Sequence, residues 1–160
     1  MKKRMAAGII AAGMVMAAAL PAAAENKTMT VKYTEASTYT LEIPSSVILE
    51  EDKAVKAEIK LSAINVGAKE KVQVKVNSGI SGGKVTLTDA KDATNTVSSV
   101  VSLTADAVAG IEDNAVVAEF EGPGTTATKD GALYFSQLGD IPAGTYSGTI
   151  VFEAEIVAKN

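Results

Sequence analysis

Along most of the chain, apolar and polar residues change places at every step. Successive side chains of a β-strand point to opposite faces, so this spacing predicts strands with one buried and one wet face. The most extended run occupies residues 141–157. Pro142 and Gly144 make a turn, and Tyr146, Ile150, Phe152, Ala154 and Ile156 then recur on one face, with Thr149, Glu153 and Glu155 opposite. One long strand that closes the domain is expected there.

Earlier segments repeat the pattern. Met29, Val31 and Tyr33 alternate with Thr30 and Lys32, which predicts a short strand. Tyr39, Leu41 and Ile43 predict another, ended by Pro44 because proline lacks the backbone donor. A brief apolar run, Val47-Ile48-Leu49, precedes the acidic turn Glu50-Glu51-Asp52. In residues 53–63, Val55, Ala57, Ile59 and Leu61 alternate with Lys56, Glu58, Lys60 and Ser62. Val72, Val74 and Val76 follow a turn that contains Gly67, so these two strands are expected to pair as an antiparallel hairpin.

Strands are also predicted around Val85 and Leu87, over residues 97–103, at Val116, Ala118 and Phe120, and over residues 132–138. Thr104 and Gly110 have the chemistry of a cap and a terminator, which predicts a single helical turn between them. Short alternating segments divided by Gly, Pro, Asn and Asp turns indicate an all-β chain, read here as a single antiparallel β-sandwich.

The first residues follow a different rule. Lys2, Lys3 and Arg4 precede an uncharged apolar run from Met5 to Leu20, Pro21 breaks it, and Ala22-Ala23-Ala24 offers a small-x-small cleavage site. That is the order of a secretory signal peptide. The run falls short of the roughly 20 residues that span a bilayer, so no stable membrane insertion is expected after cleavage. Residues 1–24 are therefore read as a signal peptide and residues 25–160 as the sandwich domain. The product is expected outside the cytoplasm, secreted or at the cell surface, or in the periplasm of a Gram-negative host.

Removing the three cations of the leader leaves 12 basic residues against 19 acidic ones, a net charge of −7. This sign disfavours nucleic acid and anionic membrane surfaces as partners. The exported chain has no cysteine, so its stability must come from the core.

Histidine is absent as well, and with neither His nor Cys the common nucleophilic triads have no base or thiol to use. Zinc would have to be held by carboxylates alone. The acids do not gather as a glycosidase pair would require: Glu50, Glu51 and Asp52 share a turn, while Glu153 and Glu155 decorate a wet strand face. Asp89, Asp92, Glu112 and Asp113 are the oxygen ligands a calcium site would draw on, but no D-x-D-x-D-G run frames them. Gly83-Lys84 resembles the end of a phosphate loop, yet Ser78 stands where its first glycine belongs and Val85 where its hydroxyl belongs. No catalytic, cofactor or metal residue is assigned, and no enzyme is expected. Among the aromatics, Phe120, Phe152 and Tyr39 fall in phase with the core, whereas Tyr134 is out of phase with Leu133 and Phe135 and is expected to face solvent.

Two stretches carry a resemblance. Ile43-Pro44-Ser45-Ser46-Val47 and the segment from Ala143 to Phe152, A-G-T-Y-S-G-T-I-V-F, are similar to the opening and closing segments of small secreted β-sandwich proteins of Gram-positive gut bacteria. Similar closing strands occur in pilin-like and spore-coat-like subunits. The resemblance implies an Ig-like sandwich with a structural or adhesive role at the cell surface and brings no catalytic residues. Neither an L-P-x-T-G signal nor a hydrophobic C-terminal tail accompanies it.

The leading expectation is thus a non-enzymatic surface module, such as a fibre subunit that assembles with copies of itself or with other surface proteins. Met29, Val31 and Tyr33 would supply an added strand. A soluble extracellular binder of carbohydrate or another ligand is the alternative.

Overall fold

Eleven strands follow one another, and no helix interrupts them among the described residues. The structure is a computed structural model that describes residues 29–159. The signal peptide expected at residues 1–24 lies outside the described residues. Two units are distinguished, one reaching to Thr34 and the other beginning at Glu35.

The strands of the second unit are β1 (Thr38–Glu42), β2 (Val55–Glu58), β3 (Lys60–Asn65), β4 (Glu70–Ser78), β5 (Lys84–Asp89), β6 (Thr96–Ser102), β7 (Val116–Phe120), β8 (Lys129–Asp130), β9 (Ala132–Phe135), β10 (Tyr146–Ser147) and β11 (Val151–Ala158). They form a five-stranded sheet ordered β10-β5-β6-β9-β2, a four-stranded sheet ordered β11-β4-β7-β8, and the pair β1-β3. Every pairing is antiparallel. Both larger sheets contribute to one core, an arrangement consistent with a β-sandwich.

Strand β4 shows how the pattern becomes stability. It lies inside its sheet, paired to β11 on one side and β7 on the other. Val72, Val74 and Val76 are completely buried, and each side chain of this size contributes about 1.5–3 kcal/mol when removed from water. The intervening Lys71 and Gln73 both bond the Glu119 carboxylate, at 2.9 and 2.8 Å, and Lys75 pairs with Glu155. These contacts, Lys71 first, hold the Glu119 carboxyl below its ordinary range.

Bulges adjust the phase where strict alternation would misplace a side chain. Ser62 is skipped between the pairs Thr40–Ala63 and Leu41–Leu61, so Leu61 and Ile64, three residues apart, both turn toward the core. Val117 is likewise skipped opposite β4 and remains fully buried.

Several expectations are corrected. Residues 29–34 lie outside any strand, because alternation alone supplies no ladder partner for the backbone. Residues 53–63 and β4 do not form a hairpin: β2 pairs with β9, β3 with β1, and β4 belongs to the other large sheet. The long closing strand is two strands. β10 pairs with β5, and after residues 148–150 the chain continues as β11 against β4. Between Thr104 and Gly110 there is a turn, closed by the Ala107 N–H donating to the Thr104 carbonyl at 3.0 Å, in place of a helix. Tyr134 is half-buried, paired across the ladder with Lys56.

Residues 43–49 run from the end of β1 as an irregular strap. Ile43, Val47 and Leu49 turn inward, while Pro44, Ser45, Ser46 and Ile48 are exposed. Just past its end, the Leu138 and Gly139 N–H groups donate to the Glu50 and Glu51 carbonyls at 3.0 and 2.9 Å.

Candidate functional site

Three of the four acids named as possible calcium ligands, Asp89, Asp92 and Asp113, hold loops through their carboxylates. Asp89 is almost wholly buried at the end of β5. Its Oδ1 accepts the Lys91 and Asp92 N–H groups at 2.7 and 3.0 Å, and its Oδ2 accepts the Thr145 N–H at 3.1 Å. One carboxylate thereby ties the turn ahead of β10 to the loop after β5. Asp92 accepts the hydroxyl of Thr94 and then its N–H, which in that order pull its carboxyl below the usual range, and Asp113 accepts the Ile80 N–H at 3.0 Å. Among the described residues no three potential metal ligands come together.

The phosphate-loop fragment is a tight turn between short strand ends. Ser81 and Lys84 exchange both backbone hydrogen bonds, and Gly82 and Gly83 between them have φ of 56° and 75°. Two consecutive positive φ values are what a two-residue hairpin loop of the primed type requires, and glycine provides them without strain. The buried hydroxyls are also occupied. Ser99 Oγ donates to the Ser136 carbonyl at 2.8 Å, and Ser102 Oγ lies 3.0 Å from Thr104 Oγ1.

A cleft of about 210 Å³ opens beneath the strap. It is lined by Ala57 of β2, Ile59 between β2 and β3, Leu133 and Phe135 of β9, and Val85 and Leu87 of β5. Ile150 and Phe152 close one wall, and Ile43, Val47 and Leu49 of the strap close the other. Ser45, Ser46, Thr149 and Glu58 mark its polar rim. The cleft exists because the strap, though apolar at alternate positions, joins neither large sheet.

Glu58 on that rim is held between two lysines, with Lys60 Nζ at 2.5 Å and Lys56 Nζ at 2.9 Å. Donation from Lys60, then from Lys56, brings its carboxyl down to about 2 from the ordinary 4.5. Folding favours the ionised form, so the stabilisation is complete above pH 4.5 and fades as pH falls toward 2. The triad is solvent-exposed, so the effect is small and screened by salt. Glu58→Gln is expected to flatten the dependence of melting temperature on pH between 4.5 and 2, with high salt flattening the parent in the same way. An E58Q variant with the parent's full acid slope would remove Glu58 as its source.

Of the residues assigned to strand addition, Met29, Val31 and Tyr33 are 84, 80 and 80% exposed. Tyr33 is the only exposed aromatic among the described residues. Phe120 and Phe135 are buried in the core and Phe152 packs against it. Tyr39 donates to the Ala154 carbonyl at 2.6 Å, and Tyr146 bonds the Asn95 amide and the Pro142 carbonyl. The chain matches no protein-family model and no curated protein. What sequence reasoning missed is the cleft: its signal was Val47-Ile48-Leu49, an apolar run that lines it and joins neither large sheet.

Proposed function

We propose that this chain is a secreted, non-enzymatic structural or adhesive module, an Ig-like sandwich exported by its N-terminal leader and assembled at the cell surface by strand addition. One observation carries the reading. Directly ahead of the sandwich, three large apolar side chains at alternate positions, Met29, Val31 and Tyr33, are each at least 80% exposed. Leaving such residues in water forgoes the hydrophobic stabilisation their burial would bring, and alternate spacing suits them to one face of an added strand. Backbone hydrogen bonding to a neighbour's sheet would order the segment, with the alternate side chains giving register.

The test compares the mature chain, residues 25–160, with a form that begins at residue 35, by light scattering over a concentration series. The mature chain is expected to form species larger than the monomer and the shortened chain to stay monomeric. Monomers at all concentrations for both forms would overturn the reading.

A further inference from the structure

We propose that the cleft beneath the 43–49 strap is the acceptor for residues 29–33 of a second copy of this chain. The proposal rests on the assembly reading above and identifies where the added segment lies.

The cleft makes two demands of an occupant. Its floor is apolar, from Ala57, Leu133 and Phe135 on one side to Phe152 on the other. The strap along its edge has unspent backbone: among the described residues, no backbone group of residues 43–49 is bonded to another backbone group. Main-chain polar groups seek partners wherever water is displaced. A small apolar molecule meets only the first demand. An extended peptide meets both, because it offers backbone donors and acceptors along its length and an apolar side chain at every second position.

Residues 29–33 have that form. Met29, Val31 and Tyr33 fall on one side of an extended segment, spanning about 13 Å at the rise of a strand, and Thr30 and Lys32 fall on the other. Charge points to the same pairing. Residues 25–34 carry Lys27 and Lys32 against Glu25, a net +1, while residues 35–160 carry 10 lysines against 18 acids, a net −8. The strap itself is bracketed by Glu42 on one side and Glu50, Glu51 and Asp52 on the other, and with Lys53, which pairs with Glu50 at 2.9 Å, residues 42–53 carry a net charge of −3. A basic apolar segment thus meets an acid-flanked apolar groove, and this attraction steers encounter between copies. Because donor and acceptor are different surfaces, the contact is head-to-tail and propagates into chains unless it closes a ring.

The native chain has no cysteine, so single thiols report the contact directly. Val31→Cys in one batch of the mature chain is mixed with Ser46→Cys in another, mass-labelled batch under mild oxidation. V31C mixed with Val108→Cys, whose parent residue is 74% exposed on the 104–110 loop, is the control. The expected result is a mixed disulfide between V31C and S46C in roughly tenfold excess over the control, since bridging requires the two Cα atoms to lie within bonding range. That excess should fall as salt rises. Linking to S46C no greater than to V108C, in a chain that still assembles by light scattering, would overturn the acceptor site and leave the assembly reading standing. A parent chain that stays monomeric would overturn both. A chain carrying both thiols that closes its bridge only within one monomer would show the segment in its own cleft and overturn the second-copy occupant.

Discussion

Replacing Gly131 with valine is expected to cost about 2–6 kcal/mol and to lower the melting temperature steeply, because two strands change sheets at this one point. The segment from Val55 to Asn65 passes from the five-stranded sheet to the β1 pair at Ile59, and the segment from Lys129 to Phe135 passes between the two large sheets at Gly131. They are stitched together there. The Ile59 N–H donates to the Gly131 carbonyl and the Gly131 N–H donates to the Val117 carbonyl, both at 3.0 Å. Gly131 has φ of 94°, a conformation that side chains with a Cβ rarely adopt, and a Cβ placed there would sit 2.5 Å from that of Ala127.

Leaving the glycine-only region costs about 1–3 kcal/mol, and overpacking adds about 1–3 kcal/mol more. Valine's branch makes the positive φ still less tolerable. Against a total stability of about 5–15 kcal/mol, this is enough to collapse a marginal domain. Far-ultraviolet circular dichroism and a thermal melt check it. Ala127→Gly should partly rescue Gly131→Ala by removing the overlap while the φ strain remains. A G131V protein that melts within a few degrees of the parent would show that the crossing does not need glycine.

The second large effect is expected at Phe120. Its ring is fully buried at the end of β7, opposite Val72, which is also fully buried. Truncation to alanine removes the ring and leaves a cavity that a close-packed interior only partly fills, so Phe120→Ala should cost about 3–5 kcal/mol. Phe120→Leu keeps most of the volume and should cost less. In a urea titration the midpoint should fall with the slope unchanged, since the surface exposed on unfolding is nearly the same. A loss below about 1 kcal/mol would be the size of an ordinary surface effect and would remove Phe120 from its place at the centre of the core.

The inward face of most strands was legible without a structure. Tyr39 and Leu41, Ala57, Ile59 and Leu61, Val72, Val74 and Val76, Phe120, and Phe152, Ala154 and Ile156 all turn inward where period-two spacing put them. The alternation of Met29, Val31 and Tyr33 was visible too, although the strand expected of them does not form among the described residues. The cleft was hidden, since it is assembled from β5, β9, β11, the β2–β3 crossing and the strap, which lie up to about a hundred residues apart.

By itself, then, the sequence determined that this is an all-β chain and which side of most strands is apolar. Both follow from the local geometry of Cβ atoms, which alternate whatever the neighbours are. Tertiary structure alone decided which strands adjoin. Every residue but proline offers the same backbone donor and acceptor, so nothing in residues 53–63 says that they pair with β9 and β1 rather than with the nearby β4. The sheet changes at Ile59, Gly131 and residues 148–150, and the cleft beneath the strap, follow from how two layers close over one core, a packing problem solved by the whole chain at once.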